Sequence, residues 1–80
     1  MTVKEIIENH GREYLMELIE ENRSVFVVQL GNVVTEKTLT GISHRNGFTL
    51  FEISYFFHTP HIFLSEEDAL KHIERKKDKI

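Results

Sequence analysis

Eighty residues suffice for one hydrophobic core and not for two, and such a core buries only about 60% of the surface the unfolded chain exposes. Without cysteine, disulfides, thiolate metal sites and thiol catalysis are excluded, so any supplement to that core must come from association or a histidine site. Hydrophobic residues at 40% and charged residues at 29% exclude a disordered chain, and a net charge of −3 excludes a general attraction to nucleic acid or anionic lipid.

The chain opens with Thr2 followed three residues later by Glu5, the spacing of a capping box, in which each side chain satisfies a backbone donor of the other. Apolar residues then recur at Val3, Ile6, Ile7, Tyr14, Leu15, Leu18 and Ile19 with the glutamates between them. That is the 3.6-residue period of an amphipathic helix, expected over about 2–22. Gly11 interrupts it. The expectation is one helix with Gly11 at a close contact, although Asn9-His10-Gly11 also fits a helix C-terminus with a second helix from Arg12.

Val25-Phe26-Val27-Val28-Gln29-Leu30 is a short β-branched apolar run, read as a strand over about 24–30 with both faces largely buried. Gly31-Asn32 marks a turn or bulge, and a second strand over about 33–43 is polar in its middle, which suits an exposed or edge strand where Glu36 and Lys37 discourage further pairing. Asn46-Gly47 supplies the two positive φ angles of a type I′ hairpin turn, so a third strand returns antiparallel over about 47–57. Alternation places Phe51, Ile53, Tyr55 and Phe57 on one face of it and Phe48, Leu50, Glu52, Ser54 and Phe56 on the other. Thr59-Pro60 ends that strand, since proline has no N–H for a ladder, and residues 61–64 allow a short fourth one. Ser65 then caps a closing helix over about 65–78, with Glu66, Glu67 and Asp68 in its first turn and lysines in its last turns, the polarity the helix dipole favours. The fold class is therefore α+β: an N-terminal helix, a three- or four-stranded antiparallel meander and a C-terminal helix, forming one domain over 1–80.

Candidate sites divide by chemistry. His58 and His61 flank the Thr59-Pro60 turn, where two imidazoles with Glu52 or His44 would suit zinc or nickel; ordinary polar residues at a strand end account for the pattern as well. Glu52 lies among apolar residues, so a general-base role beside His44 or His58 competes with a simple pairing to Lys37 or Arg45 across the hairpin. No phosphate loop, nucleophile elbow or cofactor fingerprint occurs, so a non-enzymatic protein without a cofactor is expected.

Charge is uneven: Glu5, Glu8, Glu13, Glu17, Glu20 and Glu21 crowd the first 21 residues, whereas Lys71, Arg75, Lys76, Lys77 and Lys79 crowd the last ten. The basic end offers a nucleic-acid surface through Lys71, Arg75, Lys76 and Lys77, yet a solvated helix terminus explains it too. The apolar surplus is the stronger pointer. If both terminal helices cover the stripe Phe51, Ile53, Tyr55 and Phe57, then Phe48, Leu50 and Phe56 stay wet, each worth about 1.5–3 kcal/mol if buried. If the helices cover opposite faces, a self-contained monomer results. The first arrangement predicts a module that binds another protein or a second copy, through that face or through a strand edge. The acidic outer face of the first helix would steer a basic partner. With no basic-then-apolar leader and no run of about 18 apolar residues, a cytoplasmic location away from membranes is expected.

Overall fold

The computed structural model describes residues 1–77, with side chains through Arg75. The described residues form α1 (Val3–His10), α2 (Arg12–Glu20), β1 (Ser24–Gln29), β2 (Val33–Arg45), β3 (Phe48–Ile53), β4 (Phe57–Thr59) and α3 (Glu66–Lys77). This is the expected α+β order. The closing helix reaches Lys77, and position 78 of its expected range lies outside the described residues.

The capping box forms: Glu5 N–H donates to Thr2 Oγ1 at 3.2 Å and Thr2 N–H donates to Glu5 Oε1 at 3.2 Å. The Thr2 N–H first, and after it the Thr2 hydroxyl donating to the same Glu5 Oε1 at 3.1 Å, hold the Glu5 carboxyl below the usual carboxylate range. The single N-terminal helix, however, does not form. Gly11 sits at φ 90°, ψ 156° between α1 and α2, a region essentially closed to residues with a Cβ. No close contact explains the glycine, since a Cβ built there would meet nothing within 4 Å. The backbone demand alone selects it. At its far end α2 closes in a Schellman motif, with Asn22 at φ 50°, its N–H on Ile19 C=O and the Arg23 N–H on Leu18 C=O. Asn22 Nδ2 also donates to Leu39 C=O at 3.3 Å, which fastens the helix end to β2.

The sheet is antiparallel in the order β1-β2-β3-β4, so β2 as a whole lies between two neighbours, although its polar middle, residues 35–38, pairs with β1 alone. Its polar middle is tolerated because its two halves serve different neighbours. Val33–Thr38 pair with β1, and Leu39–Arg45 pair with β3 across a bulge at Thr40. One long strand thus bends the sheet. The hairpin at Asn46 (φ 51°) and Gly47 (φ 80°) closes with Arg45 opposite Phe48, as the Asn-Gly pair predicts.

The third strand stops at Ile53 rather than Phe57. Ser54 (φ 51°) and Tyr55 (φ 70°) adopt left-handed backbone, Phe56 N–H donates to Ile53 C=O, and the chain turns back as β4 against β3. The apolar run is a hairpin, because alternation along a run cannot reveal a turn inside it. Residues 61–64 do not form a strand of their own. They make a strap in which Phe63 exchanges two 2.8 Å backbone bonds with Phe26 on the outer edge of β1, and Ile62 N–H donates to Met1 C=O.

The core gathers Val3 and Ile6 of α1, Leu15 and Leu18 of α2, Val25 and Val27 of β1, Leu39, Phe51, Ile53 and Ile62. Tyr55 and Phe57 are absent from it, so the expected four-residue stripe reduces to Phe51 and Ile53. The helices divide the sheet lengthwise: α2 packs on β2 and α1 on β3, while α3 packs on β1 and β2 and buries Ala69 and Ile73. Ser65 caps α3, accepting the Asp68 N–H at 3.1 Å.

Candidate interaction surface

The two tight turns and the helix break place most of the exposed aromatic and apolar side chains, Met16, Phe48, Tyr55, Phe56 and Phe57 among them. The break at Gly11 sets α1 and α2 side by side, and together they face the tip of the β2–β3 hairpin across an open groove of about 790 Å³. Ile7, Leu15, Met16, Ile42 and Phe48 give it apolar walls, and Lys4, Glu8, Arg12 and His44 rim it. Phe48 is 69% exposed and Met16 47%. His44 is tied back by Thr49, with 3.0 Å between Nδ1 and Oγ1.

A second surface surrounds the β3–β4 turn, where Phe56 is 90% exposed and Tyr55 66%. Two successive left-handed residues that are not glycine cost on the order of 1–3 kcal/mol each. The surrounding structure imposes them. Ser54 N–H donates to Thr38 C=O at 2.8 Å, and Tyr55 N–H donates to Thr40 Oγ1 at 3.1 Å. Thr40, the bulged residue, directs its hydroxyl between Glu52 C=O (3.1 Å) and Glu52 Oε1 (3.2 Å). The bulge therefore supplies the polar clamp that the turn needs.

The structure does not gather the three residues expected on one sheet face. Phe48 and Leu50 share a face of β3, but Leu50 is half-buried. Phe56 lies beyond the opposite end of the strand, five Cα steps of roughly 3.3 Å, or about 17 Å, from Phe48 to Ile53. They belong to two surfaces. Sequence reasoning passed over Tyr55, because it was placed in the core stripe, and Leu30, which is 99% exposed at the end of β1. Ser54, a small turn-forming residue inside an aromatic run, was the available signal for the first. Gly31 directly after Leu30 was the signal for the second.

The polar candidates resolve individually. Glu52 pairs with His58 (Oε2 to Nε2, 3.7 Å) and with Thr40 rather than with Lys37 or Arg45. His61 is exposed, and no group of three His, Asp or Glu side chains among the described residues could hold a metal ion. No described residue combines burial with an unpaired charge, since no polar or charged residue is fully buried. On α3, Lys71 is engaged by Glu67 at 3.2 Å, one helical turn earlier, and Arg75 is exposed. The side chains of Lys76 and Lys77 lie outside the described ones. No helix among the described residues is long and apolar enough to cross a membrane. Compared with known proteins, the chain matches no family model, no curated protein and no solved structure.

Proposed function

We propose that this domain is a non-enzymatic interaction module, which binds another protein or a second copy of itself through its exposed aromatic surfaces. The observation that carries the reading is the display of Tyr55 and Phe56 on a turn whose left-handed backbone asparagine and glycine would adopt at lower cost. Aromatic residues are the principal anchors of protein interfaces, and strained backbone concentrates where contact is made. Phe48, beside the helical groove, supplies a second anchor of the same kind.

Light scattering across a concentration series, with affinity capture from the cells of origin, tests the reading in wild type, Phe48→Glu and Phe56→Glu. Both residues are exposed, so neither substitution should lower the unfolding midpoint appreciably. At least one of them should abolish self-association or the recovery of a specific partner. Identical assembly and recovery in all three proteins would sink the reading.

A further inference from the structure

The two N-terminal helices are acidic, yet they bring their cations to one place. Lys4 and Arg12 are the only lysine and arginine of α1 and α2, and both line the groove that these helices form with the β2–β3 hairpin. Of the carboxylates on the same helices, Glu5, Glu8, Glu13, Glu17 and Glu20, only Glu8 lines it. Glu8 stands 3.9 Å from Lys4, so those two charges offset each other. Arg12 has no ion-pair partner among the described residues. The hairpin side adds His44 and no carboxylate. On a chain of net charge −3 the rim is thus locally positive, a reversal of sign that favours an anion.

Inside that rim the groove is apolar. The buried Val3 and Leu15 lie deepest, and Ile7, Met16, Ile42 and Phe48 stand around them. Arg12, Leu15 and Met16 are spaced three and four residues apart, on one face of α2, so a head group at Arg12 has apolar neighbours within one helical turn. Met16 is unbranched and adapts to whatever shape is laid against it. The volume of about 790 Å³ falls within the range of small-molecule sites, about 300–1,000 Å³. A nucleic acid or a broad acidic surface needs a field of cations, and this rim has Lys4, already offset, and Arg12.

We infer that this groove binds a free amphipathic carboxylate, a small molecule whose anionic head sits beside Arg12 and whose apolar chain lies over Leu15 and Met16 against Ile42 and Phe48. Covering the exposed Met16 and Phe48 side chains supplies the apolar part of the gain, and Arg12 supplies the preference for charge. The inference goes beyond the interaction-module reading, which the β3–β4 turn carries, and either can fail alone.

The test is an NMR titration of the full chain with decanoate, kept below micelle formation and carried to millimolar concentration. Decyltrimethylammonium, with the same chain and the opposite charge, is titrated beside it. The expected result is saturable shifts centred on Leu15, Met16, Ile42 and Phe48, with the cation binding at least about tenfold more weakly. Arg12→Gln should weaken decanoate binding about fivefold. Phe48→Glu should abolish it, and Phe56→Glu, on the other surface, should leave it unchanged. Absence of saturable shifts, equal binding of the two amphiphiles, or undiminished binding by Arg12→Gln overturns the site. So do the same shifts appearing without decanoate as the protein is concentrated, which assign the groove to a second copy. Loss of association in Phe56→Glu alongside a failed titration would leave the module standing without the site. Saturable binding by a protein that neither self-associates nor captures a partner would leave the site without the module.

Discussion

The two hairpin turns of this domain share a pair of left-handed φ angles and differ in how they obtain them. At the β2–β3 tip, Asn46 and Gly47 take φ 51° and 80°; at the β3–β4 turn, Ser54 and Tyr55 take 51° and 70°. Asparagine and glycine enter this conformation readily, so the first turn is a local property of its two residues. The second has no such preference. It is held from outside, by Thr38 C=O, by the hydroxyl of the bulged Thr40, and by Ile53 buried just before it. Local preference and global fold disagree at this turn, and under the proposed function the disagreement is kept for the pair of exposed aromatic rings, Tyr55 and Phe56.

Gly11 is the largest lever, because its backbone is closed to a Cβ as that of Tyr55 is not. Gly11→Ala should destabilise by on the order of 1–3 kcal/mol in chemical denaturation. In a continuous helix the same substitution would stabilise by about 1 kcal/mol, so the sign alone distinguishes a broken helix from an unbroken one. Thr40→Val removes the clamp while keeping the side-chain shape, and should cost about 1 kcal/mol. Faster amide exchange at Tyr55 than at Gly47 would accompany it; an unchanged Tyr55 amide would mean that the turn holds itself.

Much of the fold was legible because it is written locally. Thr2 and Glu5 announce the first helix, Asn46-Gly47 the hairpin, Ser65 with Glu66–Asp68 the last helix, and the pair Phe51 and Ile53 the core face of β3. The remainder depends on contacts distant in sequence. Nothing near Thr40 foretells a bulge, and only Ser54 itself, a small residue inside an aromatic run, hints at the turn, since each exists to satisfy the other across the sheet. The interior place of β2 was obscured for a related reason, because half of its 13 residues serve each neighbour. Of the residues expected to stay wet, Phe48, Leu50 and Phe56, alternation along β3 bears on Phe48 and on Leu50, which is half-buried, whereas Phe56 is exposed because it lies past the turn that ends the strand. Their separation onto two surfaces, and the exposure of Tyr55 and Leu30, required the turns to be placed first.

Under the proposed function, the β3–β4 turn keeps its aromatic residues for contact rather than for folding. Giving it the residues its backbone prefers, Ser54→Asn with Tyr55→Gly, tests this in one protein by measuring unfolding free energy and association together. The expected outcome is a gain of about 1–2 kcal/mol in stability together with weakened association. Stability unchanged or lowered, or association undiminished, would contradict it.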